Sequence, residues 1–262
     1  MDNVNKTLYI PLRGKAYVSS RGIVLSDPDA EAIWSGEGFP LKGKSASKWL
    51  AYTMGIRAAV FDRWLAQQLQ EVPEGVVLHL GCGLDSRCHR VKTDAPWYDV
   101  DFPAVITERK RYFSESGSYH MISSDLREDF LSDIPGDKPA IVVMEGISMY
   151  LTTRERLDLL KKLTGHFPEV RLLMDTYTAF AAKATKYKNP INDVGVTQVH
   201  GFDDPREPES GTGLGFLQEH DMNPPELVAR LPKKDQGIFR LVYGGKLAQR
   251  ICRLYEYRSC GV

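Results

Sequence analysis

The run Val76 to Asp101, VVLHLGCGLDSRCHRVKTDAPWYDVD, constrains this chain more than any other segment. It joins an apolar strand, a glycine turn and a second short strand ending in carboxylates. Leu78, His79 and Leu80 carry the chain to Gly81, where a residue without a side chain can turn sharply and let backbone approach a ligand. Gly83 repeats that permission two positions later. Asp101 follows Gly81 by about 20 positions, the spacing that places a carboxylate at the tip of the neighbouring strand, within reach of ribose hydroxyls. The unit predicts a nucleotide-type cofactor site on a doubly wound α/β sheet.

The turn itself reads Gly81-Cys82-Gly83-Leu84-Asp85-Ser86, with Ser86 where a dinucleotide fingerprint places its third glycine. Asp85 at the helix mouth would repel a pyrophosphate, but it suits a ligand carrying an ammonium and a sulfonium and no phosphate. S-adenosylmethionine fits that description. A GxG after a strand also occurs as a tight strand-to-helix turn with no ligand, so at the level of these residues the alternatives stay open.

The rest of the chain alternates strand and helix. Residues 1–45 mix short helical pieces with turn signals such as Asp27-Pro28 and Phe39-Pro40, and read as a cap. From Ser45 to Glu71, the spacing of Leu50, Met54, Phe61 and Leu65 predicts one long amphipathic helix. Arg57 interrupts its apolar stripe and points where Met54 and Phe61 point, so it needs an anion, either a ligand's or a structural carboxylate. Strands are expected at Val76–Leu80, Trp97–Val100, Tyr119–Ser123, Ala140–Met144 and Arg171–Met174, with helices from near Asp85 and from Pro103 to Ser116. Thr152-Thr153-Arg154-Glu155 is a capping box opening a further helix. Repeated units of this kind form an open parallel sheet with ligands at the carboxyl ends of the strands, where Asp101, Asp125, Glu145 and Asp175 all fall. Residues 183–234, rich in Pro, Gly and charge around GFDDPREPESGTGLG, read as an insertion, either a substrate lid or a surface loop. Gly237–Tyr243 and Gln249–Tyr257, around Gly244-Gly245, read as an antiparallel hairpin closing the sheet. The expected organisation is one domain: cap 1–45, cofactor-binding core 46–182, insertion 183–234 and hairpin 235–262.

Charge argues about partners. Lys and Arg number 34, as do Asp and Glu, so no basic footprint points to nucleic acid or an anionic membrane. The opening MDNVNKTLYIPLRG has neither a signal peptide's pattern nor a transit peptide's, and no run reaches membrane-spanning length, which predicts a cytoplasmic protein. Cys82, Cys88, Cys252 and Cys260 include no CxxC pair and no His cluster at ligand spacing, so reduced thiols and no metal are expected.

With these residues in hand, the chain resembles the leucine carboxyl methyltransferase family, and within it the bacterial branch of tetracenomycin-type polyketide O-methyltransferases. The resemblance rests on Leu12-Arg13-Gly14-Lys15-Ala16, Arg57 with Phe61-Asp62, LGCGLDSR at 80–87, DVDFPAVI at 99–106, SSDL at 123–126 and, most diagnostic, MEGISMYL at 144–151. Cys82, Ser86 and Cys88 depart from the family's usual residues by small exchanges, and residues 183–234 match weakly. The resemblance implies the Rossmann-like class I methyltransferase fold, a mostly parallel seven-stranded sheet with an antiparallel C-terminal hairpin. It implies S-adenosyl-L-methionine as cofactor and S-adenosyl-L-homocysteine as product. Gly81 and Gly83 would lie against the methionine moiety, Asp101 would accept the ribose hydroxyls, and Asp125 the adenine amino group. Leu126 would supply an amide and an apolar wall; Arg57, with Lys15, would hold the methionine carboxylate bidentately; Glu145 would lie near the ammonium or the sulfonium. From the residues alone, Asp125 and Glu145 also read as helix caps and Lys15 as a solvated surface charge.

Methyl transfer from a sulfonium is an in-line displacement in which alignment in a dry pocket matters most. A carboxylate acceptor needs no base, whereas a phenol gains from one, and the scattered His120, His166, His200 and His220 offer none that is clear. Tyr150 and Tyr177 are the candidates for orienting the acceptor. The sequence reading is therefore an S-adenosylmethionine-dependent O-methyltransferase of a small-molecule carboxylate or hydroxyl, polyketide-like or another secondary metabolite. An NAD(P)-dependent oxidoreductase and a non-catalytic S-adenosylmethionine-binding protein stand as alternatives.

Overall fold

The computed structural model describes residues 5–37, 41, 43–185, 199–244 and 250–259. Its centre is a seven-stranded sheet in the order β3-β2-β1-β4-β5-β7-β6, formed by β1 (Val76–Leu80), β2 (Trp97–Asp101), β3 (Tyr119–Ser123), β4 (Ala140–Met144), β5 (Val170–Tyr177), β6 (Leu214–His220) and β7 (Cys252–Ser259). The first five strands run parallel, and β7 is antiparallel to both β5 and β6. The five parallel strands fall where the hydrophobic pattern places them.

Alternation sorts their side chains to two faces. Val77, Ile141, Val143 and Leu173 face one core, shared with α1 (Tyr9–Ser19) and α3 (Lys48–Glu71), whereas Val76, Leu78, Leu80, Val142 and Met144 face the other, closed by Leu159, Leu160 and Leu163 of α6 (Thr153–His166). A strand buried on both faces has no room for a polar alternation, which explains the near-continuous apolar run of β4. The cap is helical as expected, with α2 (Pro28–Glu37) following α1, while Phe39-Pro40 lies outside the described residues. Ser47 caps α3 by accepting the Trp49 amide at 3.2 Å, and the Thr152–Glu155 capping box forms at the start of α6.

Three expectations are corrected. The helix near Asp85 is the single turn α4 (Arg87–Arg90), because Asp85 and Ser86 are spent on side-chain contacts in the preceding turn. The helix from Pro103 is α5 (Pro103–Arg109) and stops well before Ser116, the chain turning after it so that Phe113 is buried. Most consequentially, the closing hairpin is not 237–243 with 249–257: α9 (Lys233–Val242) is helical, and the partner of β7 is β6, inside the segment read as an insertion. Asp235 and Phe239, one helical turn apart, are the buried residues of α9, and in so short a run this period is easily taken for a strand. Residues 186–198, Gly245 and Gln249 lie outside the described residues. The described part of the segment 183–234 also holds the end of α7 (Ala179–Ala184) and the short α8 (Pro225–Val228). No helix among the described residues is long and apolar enough to cross a membrane.

Candidate active site

At the carboxyl ends of β1, β2 and β4, a cavity of about 1140 Å³ opens under α1 and α3. Lys15, Arg57, Gly81, Gly83, Asp101, Asp125, Leu126 and Glu145 all line it, as do Tyr150 and Tyr177. Ten positions spread through the chain thus meet in one place. The topology explains it, because each parallel strand delivers its final residue and the loop after it to the same edge.

Gly81 and Gly83 both adopt positive φ, +68° and +54°, but for different reasons. A Cβ on Gly81 would stand 2.1 Å from Cγ2 of Ile147, so its missing side chain makes room for protein packing rather than for a ligand. At Gly83 a Cβ would meet only Leu8 Cβ at 3.5 Å. Gly83 is thus the open rung of the turn, and its amide donates to Asp101 Oδ2 at 2.7 Å. The Phe102 amide donates to the other Asp101 oxygen, also at 2.7 Å. Burial nevertheless pushes the Asp101 carboxyl up to about 6, the two amides and Arg109 only partly offsetting the loss of water.

Below this edge lies a cluster of nine ionic side chains. Arg57 donates from Nε to Glu145 (2.9 Å) and from Nη1 to Asp175 (2.8 Å). Arg87 reaches Glu145, Asp62 (2.7 Å) and Asp85 (3.5 Å). Arg90 pairs with Asp27 (2.7 Å), Asp62 (2.8 Å) and Asp85 (2.8 Å), and Lys15 completes the shell of Asp85 at 3.0 Å. Burial alone would raise the Glu145 carboxyl, but Arg57 and Arg87 outweigh it and hold it at about 2. Desolvation wins at Asp175, which is raised despite Arg57 and the Gly146 amide. His79 is fully buried and lowered for the same reason. Its Nε2 lies 3.1 Å from Nη1 of Arg87, which can only donate, so the ring is neutral with its proton on Nδ1, 3.2 Å from Asp99.

These contacts revise several assigned roles. Lys15 is 2% exposed and ion-paired, not a solvated surface charge. Asp85 is surrounded by three cations and presents no free negative charge to a ligand, so its repulsion of a pyrophosphate does not operate as expected. Glu145 serves as an acceptor for two arginines, not as a helix cap. With Nε and Nη1 of Arg57 engaged, the Nη2 corner is the part turned to Gly146, where a Cβ would come within 3.3 Å; the glycine keeps that corner open. Asp125 sits at the edge of the cavity, where Nε and Nη2 of Arg127 lie 2.9 and 2.5 Å from its two oxygens and hold its pKa down. It also accepts the Arg127 amide, a local turn of the kind its cap reading anticipated.

The cluster contains four cations and five carboxylates, and with Asp101 nearby this end of the cavity carries an excess of negative charge. This excess takes over the electrostatic argument assigned to Asp85. Such a site suits a ligand of net positive charge and opposes a pyrophosphate. Arg87, Arg90, Asp62, Asp27 and Asp175 were not singled out from sequence for the site, although Asp175 was noted as a strand-end acid. The available signal was the spacing of Arg87 and Arg90, one turn apart directly after the glycine loop. Among the described residues no group of three or more His, Cys, Asp or Glu side chains is arranged to hold a metal ion.

Outside the ionic residues the lining is uncharged: Met54, Met149, Tyr150, Tyr177 and Cys252 are joined there by residues of α7 and α9, and Tyr150, Tyr177 and Cys252 come close to Arg57. Burial raises the phenols of Tyr150 and Tyr177, so both are neutral hydrogen-bonding groups rather than bases.

Comparison with known proteins agrees with this architecture. The chain is 36% identical over 171 residues to the tetracenomycin polyketide synthesis O-methyltransferase TcmP of Streptomyces glaucescens, a match covering 64% of this chain and 63% of that protein. It is 30% identical over 184 residues to the S-adenosyl-L-methionine-dependent methyltransferase dpfgK of Gibberella zeae, covering 64% and 62%. The match thus spans less than two thirds of either relative. Among solved structures, a putative methyltransferase from Thermobifida fusca superposes with a TM-score of 0.56 at 15% identity, over 94% of each chain. Magnesium protoporphyrin IX methyltransferase of Synechocystis PCC 6803, with bound SAH, gives 0.51 at 12% identity over 95% of this chain and 99% of that one. The fold is thereby the class I methyltransferase fold. The family model described as leucine carboxyl methyltransferase matches residues 18–164, more than half of the sequence. The chain belongs to the leucine carboxyl methyltransferase family.

Proposed function

We propose that the chain is an S-adenosylmethionine-dependent O-methyltransferase acting on a small-molecule carboxylate or hydroxyl, polyketide-like or another secondary metabolite. The observation that carries the reading is the cavity's division into a charged donor end with excess negative charge and an uncharged end lined by methionines and tyrosines. The residues fit the cofactor. Asp101 keeps acceptor capacity beyond its two amide bonds and would take the ribose hydroxyls. Arg57, through the corner left open by Gly146, would receive the methionine carboxylate, with Lys15 adding positive potential. Glu145 would balance the ammonium, and Asp125 with the Leu126 amide would meet the adenine edge.

Bound there, the cofactor supplies an activated methyl group; the protein's part is to align an oxygen with it and to exclude water. Tyr150 and Tyr177, kept protonated by burial, would orient the acceptor by donating hydrogen bonds. In this arrangement His79, although it lines the cavity, is no base, because its Nε2 is held by Arg87. The acceptor oxygen would arrive already ionised or lose its proton to solvent.

Calorimetric titration tests the donor half: S-adenosylhomocysteine should bind at micromolar levels, while NADH gives no heat and no fluorescence change. Incubation with methyl-labelled cofactor and lysate of the source cells tests the acceptor half. Label released as methanol by mild base identifies an ester, and stable label an ether. Tight binding with no transfer to any acceptor would refute the enzymatic reading.

A further inference from the structure

Gly83, the open rung of the glycine turn, is tied on both of its backbone groups. Its amide donates to Asp101 Oδ2 at 2.7 Å, and its carbonyl accepts from Nη1 of Arg109 at 3.1 Å. Both partners belong to one β2–α5 unit, Asp101 ending the strand and Arg109 ending the helix. At φ +54° and with no side chain to pack, Gly83 depends on this pair of charged groups for the direction its two peptide planes face.

Arg109 is itself fixed. It is fully buried; its Nε donates to the Tyr119 hydroxyl at 3.0 Å, its Nη2 donates to Asp99, and its guanidinium lies 4.2 Å from the centre of the Phe113 ring. Asp99 accepts in turn from the Tyr119 hydroxyl at 2.6 Å and the Trp97 indole at 2.9 Å, with His79 Nδ1 at 3.2 Å. A guanidinium keeps its proton, and these partners hold the Asp99 carboxyl at about 2, so the pair stays ionised between pH 5 and 8. Around Asp101 the other titratable groups are few. Asp99 stands on its own strand, and the Cys82 thiol, kept protonated by burial, on the turn after β1. Further along that turn Asp85 is enclosed by its own cations. From β3 come the uncharged Ser123 and Ser124, and Asp125 beyond them is paired with Arg127. Arg109 is thus the cation acting most strongly on Asp101, and its influence exceeds that of Asp99.

We infer that Arg109 is a positioning residue for the cofactor: it holds the Gly83 peptide in its cavity-facing orientation and sets the pH below which Asp101 stops accepting from the ribose hydroxyls. The inference rests on the methyltransferase reading. Arg109 does not line the cavity, so it acts through Gly83 and Asp101. Without it, burial and Asp99 would leave Asp101 protonated to higher pH, and a protonated carboxyl is a poorer acceptor for two hydroxyl donors.

Calorimetric titration of the full chain with S-adenosylhomocysteine from pH 5 to 8 tests this. Wild-type affinity should break, falling once pH drops below about 6. Arg109→Gln keeps a donor for Asp99 but removes the charge; its break should lie about one pH unit higher, with affinity at pH 8 about tenfold weaker. Arg109→Lys keeps the charge but lacks the planar fork that reaches Gly83, Tyr119 and Asp99 together. It should restore the wild-type break while affinity at pH 8 stays about tenfold weaker. Arg156→Gln, at a buried arginine of α6 that pairs with Glu207 outside the cavity, should lower the melting temperature yet leave break and affinity at wild-type values. Arg109→Gln combined with Asp99→Asn leaves no buried charge unpaired and serves if the single variant does not fold; its break should still lie about half a unit high. A wild-type break in the Arg109→Gln proteins, an Arg109→Lys break displaced as far as that of Arg109→Gln, or an equal displacement in Arg156→Gln overturns this inference alone. Wild-type binding with no break overturns the Asp101 assignment and this inference, and no binding by the wild type overturns the methyltransferase reading with both.

Discussion

Asp101 gives the sharpest handle on the donor site. Its carboxyl sits at about 6 in the folded chain against an unperturbed 3.8. A carboxyl raised by folding is stabilising only while protonated: that contribution is complete below the unfolded value and is lost as pH rises through 6. About two pK units correspond to about 3 kcal/mol that the free protein forgoes at pH 8 to keep this carboxylate ionised. A ligand that gives two hydroxyl donors to the ionised form returns that energy, so binding should pull the pKa down. The affinity for S-adenosylhomocysteine should be flat above pH 7 and should fall below 6, approaching tenfold per pH unit. Asp101→Asn removes the charge but leaves one backbone amide, of Gly83 or Phe102, facing an NH₂ group. That mismatch costs about 1–3 kcal/mol, similar to the relieved desolvation, so the variant should stay folded. Its loss of two charge-assisted hydrogen bonds should weaken binding by about 3 kcal/mol or more, upward of a hundredfold, and erase the pH dependence. Calorimetry from pH 5 to 8 on both proteins decides it. Wild-type affinity that is constant across that range, or a variant binding within threefold of wild type, would refute the assignment.

Two further substitutions probe the scaffold. Arg57→Met strands the buried carboxylate of Asp175, leaves Glu145 with Arg87 alone, and should cost about 3–5 kcal/mol, seen as a melting temperature lower by about 6–15 °C at pH 7. Gly81→Ala drives a Cβ into Ile147 at positive φ and should destabilise by about 2–5 kcal/mol in urea titration. Adding Ile147→Ala should recover the steric part and leave about 1–2 kcal/mol from the backbone; strictly additive losses would show that the contact is not the cause.

The parallel half of the fold was legible because each of its strands is a short apolar run bounded by turn residues, and because Asp101, Asp125 and Glu145 fall at strand ends that topology alone brings together. The antiparallel half was not. Leu214–His220 fully buries only Leu214 at the sheet edge and so carries little hydrophobic pattern, whereas Gly237–Tyr243 is apolar enough to imitate a strand while burying Phe239 with helical spacing. Arg57 was recognised as a buried cation in need of an anion, and its anions proved to be the protein's own. Which carboxylate answers which guanidinium depends on tertiary distances, and no local spacing encodes the pairing of Arg90 with Asp27 or of Arg57 with Asp175.

The nine-membered ion cluster also bears on how the molecule opens. Its members come from the cap (Lys15, Asp27), from α3 (Arg57, Asp62), from the loop and helical turn after β1 (Asp85, Arg87, Arg90) and from the ends of β4 and β5 (Glu145, Asp175). None of these pieces can swing away without leaving a desolvated charge unmatched on the pieces that stay. Peripheral helices ordinarily exchange their amide hydrogens through small local openings, well ahead of the sheet they cover. Here the Lys15–Asp85 pair ties α1 into the cluster that reaches the strand ends, so its exchange is expected to follow the global unfolding of the domain, with the cap and the strands beneath it opening as one cooperative unit.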